Sequence, residues 1–223
     1  MNEAAKTRRQ WSDLERDILR GDGIDIGCGL DLVLPGVRPF DVEHGDANLI
    51  SRYVSTTFDF VFSAHCLEHM RDPRAAVLEW WTLVRPGGYL FFIVPDEDLY
   101  EQGMWPSIFN PDHKTTFTSL PRASWSAVSV NVFELAALLP DGDVIDVRVH
   151  DHRYDRTRLR RRRSPRAWAR AVHRVRVRMI AVLRRLGITA RLNWFASVFR
   201  VPIDQTVGDA LAQIQVIVRR RPR

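Results

Sequence analysis

The sequence predicts an α/β domain built on a mostly parallel sheet, and three observations carry that reading. Gly23-Ile24-Asp25-Ile26-Gly27-Cys28-Gly29 is an apolar run that stops on two glycines, the pattern of a buried strand ending in a tight turn. Phe58–Ser63 is a second apolar run, followed by a helical stripe (Ala76, Val77, Trp80, Trp81, Val84) and a third run, Tyr89–Val94. Strand, helix, turn and strand at that spacing form a βαβ unit, whose strands are parallel. The third observation is Ala212–Val218, which alternates and then turns apolar, a closing strand.

The elements follow in order. Residues 3–20 carry Trp11, Leu14, Ile18 and Leu19 on one face and predict a single helix ending at Gly21. The first strand covers 23–27, and a short second strand is expected at Val37–Val42. Gly45-Asp46-Ala47-Asn48 comes next, with no room for a helix between. Pro73 suits the first turn of the central helix, and Arg85-Pro86-Gly87-Gly88 stops it. Residues 101–125 read as a long irregular loop centred on Asn110–Lys114, and loops of that length in compact domains usually serve function. A helix is expected at Val130–Leu139 and a strand at Asp143–His150.

The chain has 223 residues, enough for one good core, and a formal net charge of +6 that hides an asymmetry. Residues 1–150 carry 13 Lys and Arg against 23 Asp and Glu, whereas 151–223 carry 20 Arg against 4 Asp. Such a split marks two differently tasked segments. The expected organisation is a core over 1–152, a basic helical insertion or lid over 153–205, and a last strand with a basic tail over 206–223. Two cysteines, Cys28 and Cys66, make neither a disulfide framework nor a metal spacing, and the start is polar and basic. With no apolar run long enough to span a bilayer, the expected location is cytoplasmic, peripheral at the inner membrane face if the basic segment meets lipid.

Taken together, Asp25-x-Gly27-x-Gly29, Asp41, Gly45-Asp46-Ala47, Phe58-Asp59-Phe60-Val61, His65-x-Leu67-Glu68-His69 and Leu83-x-Arg85-Pro86-Gly87-Gly88 form a specific series. It resembles the class I S-adenosylmethionine-dependent methyltransferases, most closely their small-molecule branch, over residues 23–96. The resemblance implies a Rossmann-like sheet with an antiparallel last strand and S-adenosyl-L-methionine as cofactor. It departs in two ways: Leu30-Asp31 stands where a third glycine is usual, and the helix and strand normally preceding Gly-Asp-Ala are missing. The sheet is therefore expected to be one edge strand short.

The resemblance assigns cofactor contacts to Asp25, Gly27, Cys28, Gly29, Asp41, Asp46, Ala47, Ser63 and His65. Asp25 would orient the glycine turn or accept from the cofactor ammonium; the alternative is an acid paired to local amides. Asp41 would accept from the ribose hydroxyls, with Glu43 its rival on the same strand face, and Asp46 with Ala47 would meet adenine. All three acids also suit turns.

A hydroxyl acceptor needs a base, and His113 and His65 are the catalytic candidates, with Asp112 the expected orienting partner of His113. The bland alternative for His113 is a solvated loop histidine. His65 and His69 stand i and i+4 and with Glu68 suggest a metal, but the third ligand is unassigned; a helix-capping or loop-orienting role is expected instead and no metal is assigned. Trp105 and Phe109 either wall the pocket or pin the loop.

In the arginine-rich segment, Trp168, Val172, Val175, Met179, Val182, Leu183 and Leu186 fall at helical spacing, an amphipathic basic helix within 153–190. It suits docking on the core, an anionic membrane surface, or a lipid- or nucleotide-linked sugar; RNA is the remaining option. The function expected is S-adenosylmethionine-dependent O-methylation of a small-molecule or glycan-precursor acceptor. The alternatives are an RNA methyltransferase gripping phosphates through the arginines, and a cofactor-binding partner protein without turnover.

Overall fold

The computed structural model describes residues 3–121, 123–159, Val175 and 202–222. The basic helix predicted from Trp168 to Leu186 therefore lies, Val175 apart, outside the described residues. The first half runs α1 (Glu3–Arg8), α2 (Asp13–Ile18), β1 (Gly23–Ile26), β2 (Arg38–Phe40), β3 (Phe58–Ala64), α3 (Pro73–Thr82) and β4 (Val84–Pro95). The second runs β5 (Thr116–Thr118), β6 (Ser129–Asn131), α4 (Val132–Ala137), β7 (Gly142–His150) and β8 (Gln213–Arg220).

Six strands form one sheet in the order β2-β1-β3-β4-β8-β7. The first four are parallel, while β8 runs antiparallel to both β4 and β7. Between Gly45 and Phe58 the chain makes only a short turn of helix, Ala47–Arg52, so β2 is the sheet edge among the described residues. This is the shortened edge that the sequence predicts.

The strands bury both faces, because successive side chains point to opposite sides. Leu90, Phe92 and Val94 of β4 face one core with Trp80 and Trp81 of α3, and Ile214, Val216 and Val218 of β8 join them. Phe91 and Ile93 face the other core, where Trp11, Ile18 and Leu19 cover Phe60 and Phe62. Burying one large apolar side chain contributes about 1.5–3 kcal/mol, so this double-sided sheet holds the ends of its strands in fixed register.

The single N-terminal helix expected over 3–20 is instead two short ones. Trp11 drops onto the sheet, edge-on to Phe62 at 6.1 Å, and the chain restarts at Ser12. There Glu15 Oε2 accepts from the Ser12 N–H at 2.8 Å, as in a capping box. The Ser12-x-x-Glu15 signature was in the sequence, but the apolar stripe running through it masked the break.

The long loop also carries more structure than its composition suggests. Asp96 caps a wide helical turn, Glu97–Glu101, and Thr116–Thr118 pairs in parallel with Ser129–Asn131. A bridge between Asp96 and Phe117 ties this segment back to the end of β4.

Candidate active site

A cavity of about 390 Å³ opens at the carboxyl ends of the parallel strands, where ligands of open α/β sheets bind. One wall is the turn after β1, with Asp25, Gly27, Cys28 and Gly29. The facing wall is the segment after β3, with Ala64, His65, Glu68 and His69. Tyr100, Asn110 and His113 come from the long segment after β4, and Ala212 and Gln213 from the start of β8.

The glycine turn is built by backbone geometry. Gly27 and Gly29 have φ of 76° and 54°, in the left-handed region where a side chain costs energy. A Cβ at Gly27 would lie 2.5 Å from the Cβ of Cys66, whereas one at Gly29 would meet nothing within 4 Å. The space at Gly27 is thus taken by the neighbouring strand end rather than by a ligand. Gly29 keeps its amide fixed by donating to Asp41 Oδ2 at 2.6 Å, which bridges the β1 turn to the end of β2.

Asp25 is 1% exposed and accepts from the Val33 N–H at 2.7 Å. Burial pushes its carboxyl up to about 7, and the charges of Asp31 and Asp41 add to the rise against the pull of the Val33 amide. This position combines local amide pairing with a place in the cavity wall. A carboxyl poised near neutrality beside close-packed glycines fits the cationic amino-acid end of S-adenosylmethionine, whose ammonium would favour the ionised acid.

On the opposite wall a histidine–glutamate cluster converges. His65 has φ of 54°, an uncommon conformation for a residue with a side chain and one that concentrates at functional sites. Its Nε2 lies 2.9 Å from Gln213 Oε1, while Gln213 Nε2 donates to Thr7 Oγ1 at 2.8 Å. That network orients the Gln213 amide so that His65 Nε2–H donates, leaving Nδ1 toward Glu68 Oε1 at 3.4 Å. Glu68 is buried; burial alone would raise its carboxyl, but His65, His113 and His69 more than offset this and hold it low.

His113 is buried too, not a solvated loop residue. Its Nδ1 lies 2.7 Å from Glu101 Oε1 and its Nε2 3.9 Å from Glu68 Oε1. The orienting acid is therefore Glu101 rather than the expected Asp112, whose carbonyl instead faces His69 Nδ1 at 3.2 Å. The loop is held in place by the Lys114 N–H, which donates to the Glu68 carbonyl at 2.8 Å.

The comparisons with known proteins meet this geometry. A family model described as a methyltransferase domain matches residues 4–127, more than half of the chain. The chain belongs to this family of methyltransferase domains. It is a class I S-adenosylmethionine-dependent methyltransferase, with the Rossmann-like sheet already described. No curated protein matches it significantly.

Among solved structures, the methyltransferase is similar to one provisionally named a sarcosine dimethylglycine methyltransferase, from Galdieria sulphuraria. The identity is 11% over 98% of this chain and 85% of that one, with a TM-score of 0.50, a likeness of fold. A SAM-dependent methyltransferase from Archaeoglobus fulgidus is 15% identical over 98% and 94% of the two chains, with a TM-score of 0.48. CalS10, an amino pentose methyltransferase from Micromonospora echinaspora, is 23% identical over 40% of this chain and 54% of that one, with a TM-score of 0.29. Among the described residues no helix of the methyltransferase is long and apolar enough to cross a membrane.

Of the sequence-assigned residues, Asp25, Gly27, Cys28, Gly29, His65 and His113 line the cavity together. Asp41, Asp46, Ala47 and Ser63 stand outside that lining. Ser63 Oγ donates to the Ile26 carbonyl at 2.9 Å and joins the tips of β1 and β3. Asp46 accepts from the Asn48 backbone and side chain at 2.9 and 2.7 Å and pairs with Arg71 at 2.5 Å, as a turn cap does. Those bonds to Asn48 lower its carboxyl, with Arg71 adding to the effect. Ala47 gives its carbonyl to Trp80 Nε1 at 2.9 Å. Trp105 and Phe109 also stand outside the lining, and Phe109 packs on the Met104–Ile108 cluster. Sequence reading missed Tyr100, Glu101 and Gln213. Only Gln213 left a signal, as a polar residue opening a buried apolar strand.

Proposed function

We propose that the methyltransferase acts on an oxygen of a small or glycan-like acceptor, held between the glycine turn and the histidine–glutamate cluster. The observation that supports this reading is the convergence of His65 and His113 on one buried carboxylate, Glu68, across the cavity from Gly27 and Gly29. When bound, S-adenosylmethionine supplies a methyl group already activated on a sulfonium. Asp25 accepts from the ammonium of its amino-acid end, with Asp41 fixing the turn through Gly29. The facing wall positions the acceptor and receives its proton. His65 takes that proton at Nδ1, where the ionised Glu68 stabilises the imidazolium formed. His113, buttressed by Glu101, keeps Glu68 in place and shapes the acceptor side. Excluding water from this buried cluster strengthens each of these interactions.

The arginines of residues 153–190, read from the sequence, favour an acceptor bearing an anionic group, such as a lipid- or nucleotide-linked sugar met at the cytoplasmic face of a membrane. The test has two stages. Calorimetry with S-adenosylhomocysteine is expected to show saturable 1:1 binding that Asp25→Ala weakens. A labelled-methyl screen across sugars, lipid-linked sugars and RNA is then expected to label the sugar class. Label in RNA alone would replace this reading with the RNA one; cofactor binding with no label in any class would support a partner protein without turnover.

A further inference from the structure

We propose that Glu68, His69 and His113 form a binding site for one first-row divalent transition-metal ion on the acceptor wall of the cavity. It deepens the proposed function by giving the acceptor oxygen an electrophilic neighbour, but its own support is independent of that reading. Among the described residues, these three bring one donor atom each within 4.8 Å of one another, close enough for a single ion to draw them together. All three line the cavity, so an ion there would keep a coordination position open to a ligand.

Three features mark a built site. Glu68 is 1% exposed, and among the described residues neither of its carboxylate oxygens receives a hydrogen bond. A buried carboxylate without donors is costly unless a cation meets it. Both imidazoles, in addition, have their outer nitrogen engaged by an acceptor. His113 Nδ1 faces the Glu101 carboxylate at 2.7 Å, and His69 Nδ1 faces the Asp112 carbonyl at 3.2 Å. A carbonyl or carboxylate oxygen can only accept, so each ring carries its proton on Nδ1 and its lone pair on Nε2. Acceptors behind the ring fix the tautomer and raise its basicity, as they do behind metal-binding histidines. Lastly, the loop bearing His113 is pinned to the segment bearing Glu68 and His69. The Lys114 N–H donates to the Glu68 carbonyl at 2.8 Å and Lys114 Nζ to the His69 carbonyl at 2.5 Å.

Two imidazoles and one carboxylate select zinc, iron, cobalt or manganese over magnesium or calcium, which favour all-oxygen shells. With the ion in place His113 serves as a ligand, and His65, outside the donor set, remains the proton acceptor.

The test is a Co²⁺ titration of untagged, chelator-treated protein, followed by visible absorption and by Zn²⁺ competition. One equivalent per chain is expected, with a ligand-field band that zinc displaces. His69→Ala and His113→Ala are each expected to weaken binding at least tenfold, Glu101→Gln by up to about tenfold, and His152→Ala not at all. His69 is partly exposed, so His69→Ala tests the site even if Glu68→Gln or His113→Ala fails to fold. Unchanged S-adenosylhomocysteine binding certifies the fold of each variant. Absence of saturable binding, or cobalt affinity indifferent to both His69→Ala and His113→Ala, overturns the site. Cobalt binding without S-adenosylhomocysteine binding keeps the site and sinks the proposed function; the reverse sinks the site alone.

Discussion

On the glycine-turn wall of the cavity, Asp25, Gly27, Cys28 and Gly29 come from one strand and the turn that ends it. The facing wall draws His65, Glu68 and His69 from the end of β3, Glu101 and His113 from the segment after β4, and Gln213 from β8. The first wall is therefore set by local backbone geometry, its glycines in left-handed conformations and its acid buried in place. The second depends on long-range contacts: the His65–Gln213 bond spans 148 positions of chain and the Lys114–Glu68 link 46. Damage to the first wall should register as lost stability and cofactor affinity. Damage to the second should register in turnover, with cofactor affinity spared.

The largest effect is expected where that contrast is sharpest. His65→Ala should lower turnover about 10²- to 10⁴-fold, the usual contribution of a positioned base. Its affinity for S-adenosylhomocysteine should change little. Glu68→Gln should cause a similar loss, and the double variant should be far from additive, because the pair works as a unit. A fall in cofactor affinity that matches the fall in turnover would erase the distinction between the walls.

On the other wall, Gly27→Ala combines a left-handed conformation with a Cβ 2.5 Å from Cys66, whereas Gly29→Ala meets open space. Denaturant unfolding should show about 2–4 kcal/mol lost for Gly27→Ala, from the dihedral cost together with overpacking. Gly29→Ala should lose only about 1–2 kcal/mol. Equal losses at the two positions would mean that the Cys66 contact relaxes freely.

Asp25 makes the first wall sensitive to pH. Its folded carboxyl stands at about 7 against an ordinary 3.8, so between those values the folded protein holds a proton that the unfolded chain has released. Stability should then fall as pH rises through that window, by on the order of 1 kcal/mol per unit, and level off above it. The affinity for S-adenosylhomocysteine should run the opposite way, rising toward pH 7 as the carboxylate forms to meet the ammonium. Asp25→Asn should flatten both profiles; a slope surviving in that variant would assign it to another group.

The smallest effect is expected at Asp46, whose carboxylate caps the turn at Ala47–Arg52. Asp46→Ala should cost about 1 kcal/mol of stability, as loss of a capping side chain does. If the same carboxylate also meets adenine, cofactor affinity falls beyond what Asn48→Ala, which removes the partner side chain, produces. Matching affinities in the two variants would confine Asp46 to its cap.

Much of this architecture was legible before folding. The unbroken apolar run Tyr89–Val94 foretold a buried strand, and Pro73 marked the start of α3, where Asp72 Oδ1 accepts from Arg74 and Ala75. Where reading failed, one local signal had masked another, as the apolar stripe through Trp11 masked the capping box at Ser12. Adjacency in sequence favours Asp112 as the partner of His113. Asp112 lies in the turn that the His113 N–H closes on the Asn110 carbonyl, and the partner that reaches the ring, Glu101, comes from the helical turn that follows β4.

The sequence alone determined the order of the elements, the glycine turn with Asp25 and the shortened sheet edge. The first two follow from dihedral preference and hydrophobic period over a few neighbouring residues, the third from the spacing of the motifs that resemble class I methyltransferases. Only the tertiary structure decided which acid stands behind His113, which amide orients His65, and that His113 lies beside Glu68 and His69. Those pairings arise because β3 and β4 end, and the antiparallel β8 begins, at one end of the sheet, bringing segments far apart in the chain within bonding distance there.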